Sequence, residues 1–261
     1  MTENAFWSET RKSFIETDYD TFKLWKSVQS VPIYAFYQFE EYYGRDVAQL
    51  IFRLNGKINR DEWMKALKEP FLGHNEESYA KVKKQLVLEK DAVETSPWAL
   101  KSAHHVLMFI ENSKNDLMSF DQIVEFGPGI GETCRLINDL GYKGDYYLYD
   151  LPEVLKVSSF YNKAYENVKS VTHYSEIDPN KKTLFIGTWS ISETPFSLRD
   201  EVFNHFKNAD YLIIYQKNAF EYSNESYFML KFPQIINKNV KIIDISWLQG
   251  IAGGNRYLFV E

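Results

Sequence analysis

Four residues with regular spacing stand at the end of a short apolar run. Glu125 lies two residues before Gly127, and Gly129 and Gly131 follow at the same interval. Glycine accepts a positive φ and leaves the backbone bare, so a ligand can lie against the main chain there. A helix that begins near Glu132 would point its free N–H groups at the same ligand. The spacing predicts a strand, a ligand-binding turn and a helix in succession.

A carboxylate follows at the end of the next predicted strand. The run from Tyr146 to Tyr149 is largely apolar and is followed at once by Asp150. In this position a carboxylate can accept hydrogen bonds from both hydroxyls of a ribose. The dinucleotide fingerprint requires a glycine where this chain has Glu132, so the spacing argues against a nicotinamide cofactor.

The pattern E-x-G-x-G-x-G resembles motif I of the class I methyltransferases that use S-adenosylmethionine (SAM), and Asp150 matches their ribose-binding acid. The resemblance implies SAM as cofactor and a Rossmann-like α/β fold, with a mostly parallel sheet and an antiparallel last strand. In this architecture the residues after the third strand approach the adenine. The cofactor-binding residues that we predict are Glu125, Gly127, Pro128, Gly129, Gly131, Asp150, Leu151, Ser175, Glu176 and Thr188.

Three further stretches, YLYDLPEV, LFIGTWSISETP and GGNRYLFV, resemble the sugar O-methyltransferases of bacterial surface-polysaccharide gene clusters. This resemblance covers about residues 95–261. It implies methyl transfer to a hydroxyl of a sugar or nucleotide-activated sugar, for capsule or another surface polysaccharide. Gly187-Thr188 replaces the Ser-Asn that is common in that family, and Glu193-Thr194-Pro195 is atypical. These departures leave the acceptor open.

Methyl transfer to a hydroxyl needs a proton acceptor, because a sugar hydroxyl is almost fully protonated near neutral pH. Glu193 lies just past the fourth predicted strand, and His105 lies on the helix before the first strand of the cofactor domain. We predict both as catalytic, with the carboxylate orienting the imidazole. Each has a structural alternative, since Glu193 could cap a helix that starts near Pro195 and His105 could be a hydrogen-bonded core histidine.

The helical wheel separates the two adjacent histidines. His105 shares a face with Trp98 and Phe109, whereas His104 shares a stripe with Lys101. We therefore expect His105 to be the inward one.

Other polar and aromatic side chains fall at predicted sheet ends. Trp189 could stack on a sugar or nucleotide face or could pack in the core. Arg256 would suit an acceptor phosphate or a surface ion pair. We predict no metal, because the adjacent Asp200 and Glu201 diverge by about 100° on a helix. The substrate-binding residues that we predict are Trp189, Ser192, Gln216, Asn255 and Arg256.

The composition narrows the class of protein. With 261 residues the chain can bury a full core, and its formal net charge of −6 argues against a nucleic-acid partner. Cys134 is the single cysteine, which excludes an intramolecular disulfide. No signal pattern and no run of membrane-spanning length is evident. We expect a cytoplasmic protein that acts on a small molecule.

The chain divides into two predicted regions, a helical N-terminal region at 1–115 and a SAM-binding Rossmann-like catalytic domain at 116–261. Helical periodicity includes Phe14 and Tyr34 to Phe39, and Asn59 or Asp61 could cap a helix that runs to Leu67. The mixed charges from Glu76 to Lys90 predict a solvated helix face. The aromatic N-terminal helices could cover the active site, form a homodimer interface, or do both.

Strands and helices alternate after residue 121, which predicts a parallel sheet with right-handed crossovers. Ser96 and Pro97 begin the helix that precedes this sheet and that runs toward Lys114. The later strands that we predict are Ser170 to His173, Thr183 to Thr188, Tyr211 to Tyr215, Val240 to Ile245 and Arg256 to Val260, with helices from Pro152 to about Glu166 and from Asn224 to Ile236.

Three alternatives to a sugar methyltransferase stay open. One is a methyltransferase of another small hydroxylated or phosphorylated metabolite. A second is a nicotinamide-dependent oxidoreductase, which shares the turn and the acid. The third is a non-catalytic nucleotide-binding protein with a methyltransferase-like fold.

Overall fold

The computed structural model describes residues 40–68, 84–88, 91–219, 222–245 and 254–260. The expected helices at Phe14 and at Tyr34 to Phe39 lie outside these residues. The main helices are α1 (Glu40–Arg53), α2 (Arg60–Leu67), α3 (Pro97–Asn112), α4 (Glu132–Asp139), α5 (Pro152–Asn162) and α6 (Phe196–His205). The strands are β1 (Lys84–Leu88), β2 (Asp91–Thr95), β3 (Gln122–Phe126), β4 (Asp145–Tyr149), β5 (Val168–Val171), β6 (Thr183–Thr188), β7 (Asp210–Gln216), β8 (Asn218–Ala219), β9 (Tyr222–Ser223), β10 (Val240–Asp244) and β11 (Asn255–Val260).

Seven strands form one sheet in the order β10-β11-β7-β6-β3-β4-β5. Neighbouring strands from β5 to β7 are parallel, and β11 is antiparallel to both of its neighbours, β7 and β10. The predicted Rossmann-like sheet with an antiparallel last strand is confirmed. The chain crosses from β5 back to β6 on the other side of β3. In such sheets ligands bind at this switch point, outside the carboxyl ends of the strands.

Helix α3 begins as the sequence predicts. The Ser96 hydroxyl accepts a hydrogen bond from the N–H of Ala99 at 3.2 Å, and Pro97 takes the first helical position. The helix ends at Asn112, two residues before the predicted Lys114. Helix α2 is capped by Asn59, whose side-chain oxygen accepts from the N–H of Asp61 at 3.1 Å.

The described part of the charged stretch from Glu76 to Lys90, residues 84–88, forms a strand where we expected a helix. Residues 84–88 and 91–95 pair as an antiparallel hairpin, β1 with β2. Leu86 and Leu88 are buried while Gln85 and Val87 are exposed, which is the two-residue period of a half-buried strand. The many charges favoured the helix interpretation, although the alternation within these five residues indicates a strand.

Other boundaries shift by a few residues. Helix α5 ends at Asn162 instead of near Glu166, and the third strand of the cofactor domain starts at Val168. The predicted helix from Asn224 to Ile236 is present as three consecutive short segments, with a π-helical turn at Tyr227–Lys231. Among the described residues no helix has the length and apolar character needed to cross a bilayer.

Helices cover both faces of the sheet and divide the core into two main clusters. One cluster joins α3 and α4 to inward residues of the sheet such as Ile123 and Ile214, and it extends to α1 and α2. The other joins α6 and the 224–236 segment to the opposite face, which includes Val124 and Phe185. Because β3, β4, β5, β6 and β7 are parallel, their carboxyl ends lie along one edge of the sheet.

Candidate active site

The glycine turn lies at the carboxyl end of β3, next to the end of β4. Gly127, Gly129 and Gly131 have φ values of 69°, 56° and 80°, all in the left-handed region. The N–H of Gly127 donates to the carbonyl of Tyr149 at 2.9 Å, and the N–H of Gly131 donates to the carbonyl of buried Pro128 at 2.8 Å. These bonds fix the turn beside Asp150.

The three glycines differ in the space that surrounds them. A Cβ on Gly127 would lie 2.1 Å from the Ser190 Oγ, and a Cβ on Gly131 would lie 2.3 Å from the Asn162 Nδ2. A Cβ on Gly129 would meet nothing within 4 Å, and this glycine is exposed. Gly127 and Gly131 are therefore needed for packing, while Gly129 presents bare backbone to open space in the way a cofactor requires.

Ser190 ties the end of β6 to the glycine turn, a role that sequence reasoning missed. Its hydroxyl lies 3.0 Å from the carbonyl of Phe126 and 3.1 Å from that of Gly127, so one proton is shared between two acceptors. A third carbonyl, that of Thr188, is 3.3 Å away. The predicted cofactor residue Thr188 thus ends its strand beside the turn.

Asp150 lies at the end of β4, half-buried beside the turn. The N–H of Leu151 donates to its Oδ1 at 2.7 Å, so both predicted residues belong to one local structure. Burial raises the pKa of Asp150 to about 7, and the negative charge of Glu193 adds to that shift. The charge of Glu193, which follows a different strand, thus acts on Asp150.

Glu125 is buried beneath the turn. Its Oε2 accepts a hydrogen bond from the hydroxyl of Tyr146 at 2.8 Å. Burial raises the pKa of Glu125 to about 7, and the charges of Asp150 and Glu132 act in the same direction. Glu125 thus joins β3 to β4.

Trp189 has the strained backbone of the site. It takes φ 67° and ψ −43° directly after β6, a conformation that is rare for a bulky residue. Its N–H donates to the carbonyl of Ile214, and its indole N–H donates to the Oδ1 of Asn255, both at 2.7 Å. The structure thus joins two predicted substrate residues, Trp189 and Asn255, in one contact.

Lys101 is a site residue that the sequence interpretation missed. Its Nζ lies 4.6 Å from the centroid of the Trp189 ring, on the side of α3. Burial lowers the pKa of Lys101 to about 8, and the charge of Glu193 partly opposes this shift. Glu193 is half-buried, and its charge acts on the pKa values of both Lys101 and Asp150. Lys101 lies one helical turn before His105, and this spacing could have indicated that both side chains belong to the site.

His105 lies on the next turn of α3. Its ring contacts that of Trp189 with 5.5 Å between centroids, and its Nδ1 lies 2.5 Å from the hydroxyl of Tyr257. The imidazole therefore bonds to Tyr257 rather than to Glu193, which differs from the expected pair. Burial lowers the pKa of His105, and the neighbouring His104 and Lys101 lower it further. His105 is inward as expected, but His104 is buried as well.

Ser192 and Arg199 shape the turn at residues 189–193. The Ser192 hydroxyl donates to the carbonyl of Trp189 at 2.5 Å, so its role in this structure is internal. The buried guanidinium of Arg199 donates to the carbonyls of Ser192 at 2.5 Å and Thr194 at 2.9 Å, and to the Asn224 Oδ1 at 2.7 Å. Arg199 was not predicted as a site residue, although it fixes the position of Glu193.

Two predicted cofactor residues follow β5 in a short 3₁₀ turn. Glu176 accepts from the N–H of His173 at 3.0 Å, and the Ser175 hydroxyl lies 2.7 Å from the His173 Nδ1. Both side chains are exposed. They cap their own turn, and their contact with an adenine stays a prediction.

The remaining substrate candidates lie at the end of β7 and the start of β11. Gln216 pairs with Asn255 in register at the ends of β7 and β11. Arg256 points to the opposite face of the sheet from Asn255, where it pairs with Asp244 and lies 3.5 Å from Glu225. In the described part of the chain no three histidine, cysteine or carboxylate side chains converge to hold a metal ion.

No protein-family model and no curated protein matches the chain. Several solved structures are similar to it in fold. The CMeT domain of the citrinin polyketide synthase has 13% identity and a TM-score of 0.44, over 64% of this chain and 53% of that one. Precorrin-6y C5,15-methyltransferase from Geobacter metallireducens has 9% identity and a TM-score of 0.43, over 60% and 87%. Human N-acetylserotonin methyltransferase in complex with SAM has 11% identity and a TM-score of 0.39, over 63% and 55%.

The chain spans about half the length of the citrinin synthase domain and of the human enzyme. Identity with these proteins is at most 13%. The function of this chain must therefore be argued from its own site.

Proposed function

We propose that the protein is a SAM-dependent O-methyltransferase. The observation that carries this proposal is the exposed backbone of Gly129 at the switch point of the sheet, with Asp150 at the end of the neighbouring strand. A glycine-rich turn beside a carboxylate at the end of the neighbouring strand of a Rossmann-like sheet suits a nucleoside with a free ribose. The E-x-G-x-G-x-G spacing selects SAM over a dinucleotide.

The residues present fit this cofactor. Gly127 to Gly131 would cradle it against the N-terminus of α4, and Asp150 would accept hydrogen bonds from the ribose hydroxyls. The N–H of Leu151 already holds one carboxylate oxygen of Asp150, so the other oxygen can turn toward a ligand. When bound, SAM supplies a methyl group on a positively charged sulfur, whose leaving group is neutral.

The protein's own residues must then position a nucleophile and remove its proton. Glu193 is held over the crevice by the turn that Arg199 anchors, and it lies near Asp150 and Lys101. His105 reaches the same crevice from α3 beside Trp189. We infer that Glu193 binds the acceptor hydroxyl and that Glu193 or His105 accepts the proton.

For the acceptor we propose a sugar hydroxyl, either free or nucleotide-linked, in the synthesis of a surface polysaccharide. The Trp189 ring, the Asn255 amide and the Glu193 carboxylate provide an aromatic face with polar groups beside it, which suits a sugar ring. The resemblance of YLYDLPEV, LFIGTWSISETP and GGNRYLFV to sugar O-methyltransferases supports the same class. We further propose that the protein acts in the cytoplasm, where nucleotide-activated sugars would be available.

Ligand binding tests the cofactor first. We expect S-adenosylhomocysteine to raise the melting temperature and NADH to leave it unchanged. An Asp150→Ala variant should lose the response while keeping its own cooperative transition. Stabilisation by NADH alone would contradict the proposal and favour an oxidoreductase.

Product analysis tests the reaction. Incubation with SAM and a panel of nucleotide sugars should add one methyl group to a member of the panel, detected by mass spectrometry. Glu193→Gln should lower turnover by roughly 100-fold or more while S-adenosylhomocysteine binds normally. Wild-type turnover in both Glu193→Gln and His105→Gln would rule out both residues as the base.

A further inference from the structure

A chain of polar side chains runs from α1 through α3 to β11 and ends at His105. The Asp46 Oδ2 lies 3.7 Å from the His104 Nε2. The His104 Nδ1 lies 2.7 Å from the hydroxyl of Tyr257, and the same hydroxyl lies 2.5 Å from the His105 Nδ1. Both imidazoles are buried, while Asp46 retains 31% of its side-chain exposure.

Proton counting leaves two arrangements for this chain. The Tyr257 hydroxyl has one proton and faces two Nδ1 atoms, so it donates to one and accepts from the other. Burial raises the pKa of Tyr257 well above its ordinary range, so the hydroxyl keeps this proton. If Tyr257 donates to His105, the proton of neutral His105 lies on Nε2. If Tyr257 donates to His104, neutral His105 carries its proton on Nδ1.

The carboxylate of Asp46 selects between the two arrangements. A negative charge 3.7 Å from the His104 Nε2 favours a proton on that nitrogen. When the ring of His104 carries this one proton, its Nδ1 is an acceptor, and Tyr257 donates to it. The Tyr257 oxygen in turn accepts from the Nδ1–H of His105. The lone pair of His105 is thereby placed on Nε2.

The His105 Nε2 is buried and has no hydrogen-bond partner among the described residues. A buried acceptor without a donor is unfavourable, and a hydroxyl or a water that donates to it would remove that penalty. Four titratable groups lie next to the ring: Lys101 and His104 from α3, Tyr43 from α1, and Tyr257 from β11. Asp46 of α1 contacts His104 and acts on the ring only through it. Trp189 contacts the ring from the side of the crevice.

We propose that Asp46, His104 and Tyr257 are positioning residues that hold His105 as the Nδ1–H tautomer and so make Nε2 the proton acceptor of the reaction. The catalytic part rests on the proposed methyl transfer, whereas the tautomer does not. As the acceptor oxygen bonds to the transferred methyl group, its proton passes to Nε2 directly or through one water, and the electron pair of the broken carbon–sulfur bond stays on sulfur. The imidazolium then releases this proton to solvent.

Nitrogen NMR tests the tautomer without any substrate. The chain has five histidines, so ¹⁵N-labelled histidine gives a spectrum simple enough for the His105→Gln variant to assign. We expect wild-type His105 to carry its proton on Nδ1. Tyr257→Phe should shift the population toward Nε2–H, the form that free histidine prefers in water, and Asp46→Asn should shift it in the same direction. A wild-type Nε2–H tautomer would overturn the proposal.

Turnover tests the catalytic part. Tyr257→Phe and Asp46→Asn should each lower kcat by about 10- to 100-fold, with unchanged affinity for S-adenosylhomocysteine. Tyr43→Phe is the matched control, because Tyr43 contacts both imidazoles by its ring edge and the substitution removes the same atom from the same cluster. It should keep wild-type turnover.

The two parts of the proposal fail in different ways. Normal kcat in Tyr257→Phe, with the tautomer changed as expected, would overturn the role of His105 as base. Absence of methyl transfer in the wild-type protein, with the Nδ1–H tautomer observed, would contradict the proposed function and leave the hydrogen-bond chain established. Asp46→Asn alters a partly exposed side chain, so it provides the test should Tyr257→Phe fail to fold.

Discussion

Several side chains at this site have pKa values that differ from those in solution, because the side chains are buried. Asp150 and Glu125 both have pKa values raised to about 7 by burial, and burial lowers the pKa of Lys101 to about 8. Strongly perturbed groups that share one crevice are typical of functional sites. Their protonation near neutral pH leads to two predictions.

Cofactor affinity should depend on the protonation of Asp150. Because its pKa is raised to about 7, the carboxyl is mostly protonated at pH 6 and cannot accept from both ribose hydroxyls. The Kd for S-adenosylhomocysteine should therefore rise by about tenfold from pH 8 to pH 6, as calorimetric titration would measure. Asp150→Asn should bind weakly with a flatter profile. An equally steep profile in that variant would assign the titration to another group.

Stability should depend on Glu125 in the opposite sense from an ordinary surface carboxylate. Its folded pKa, about 7, lies above the ordinary value of 4.5, so the folded state binds more protons between these values and stability falls as pH rises. Glu125→Gln still accepts from Tyr146 and removes the buried charge. It should be more stable than wild type at pH 8 by on the order of 2 kcal/mol, and the gain should vanish near pH 4. Urea unfolding at both pH values measures this, and a pH-independent difference would contradict it.

At the scale of elements, two turns at the ends of neighbouring strands form the site. The glycine turn after β3 and the turn at residues 189–193 after β6 are joined by the Ser190 hydroxyl. Arg199 fixes the second turn by donating to the carbonyls of Ser192 and Thr194, which flank Glu193. Each turn can therefore be perturbed separately.

Two alanine substitutions should separate packing from ligand binding in the glycine turn. Gly129→Ala adds a methyl group to open space, so it should reduce stability by only about 1 kcal/mol through its positive φ. The methyl group would lie where the cofactor is expected, so the affinity for S-adenosylhomocysteine should fall at least tenfold. Gly127→Ala places its Cβ 2.1 Å from the Ser190 Oγ and should destabilise the fold much more. Calorimetry and urea unfolding distinguish the two, and unchanged affinity in Gly129→Ala would move the cofactor site elsewhere.

Arg199 should affect kcat through the position of Glu193. Arg199→Met leaves the carbonyls of Ser192 and Thr194 without their donor, which should reduce the free energy of unfolding by at least about 2 kcal/mol. Because the turn that carries Glu193 loses its anchor, kcat should fall while cofactor affinity changes little. Arg199→Lys keeps the charge without the planar fork and should be intermediate. Wild-type kcat in Arg199→Met would exclude this positioning role.

At the scale of the whole molecule, the N-terminal helices and the sheet share one core. Residues of α1, α2 and β2 pack in the same cluster as α3, α4 and one face of the sheet. The Arg135 Nη1 on α4 donates to the carbonyl of Ala66 on α2 at 3.0 Å, and the same guanidinium pairs with Glu132 and Asp139. The N-terminal helices thus pack against the helix that follows the cofactor turn.

This shared core predicts unfolding in one step. Urea denaturation should give a single transition by both tryptophan fluorescence and circular dichroism. Arg135→Met leaves Glu132 nearly buried without its partner and should lower stability by about 3 kcal/mol without splitting the transition. Two separated transitions in wild type would show that residues 1–115 and 116–261 are independent domains.

The sequence alone determined the strand, glycine turn and helix around residues 122–139 and the fold class. Gly127, Gly129, Gly131 and Asp150 are local features of a strand, turn and helix, and the alternation after residue 121 specifies a parallel sheet. The caps at Asn59 and Ser96 were also predictable, because a cap bonds to residues two or three positions away. The β1–β2 hairpin was missed because the charge pattern outweighed a five-residue alternation.

Only the tertiary structure decided which distant side chains meet. Tyr257 joins His104 and His105 from a strand more than 150 positions away, and Asn255 binds the indole of Trp189 across 66 positions. Sequence periodicity gives the face on which a residue lies but not its partner on another element. The buried positions of Lys101 and Arg199 likewise depend on elements brought together by folding. The glycine turn and Asp150 were therefore predictable as local structure, whereas the surroundings of His105 became visible only in the folded chain.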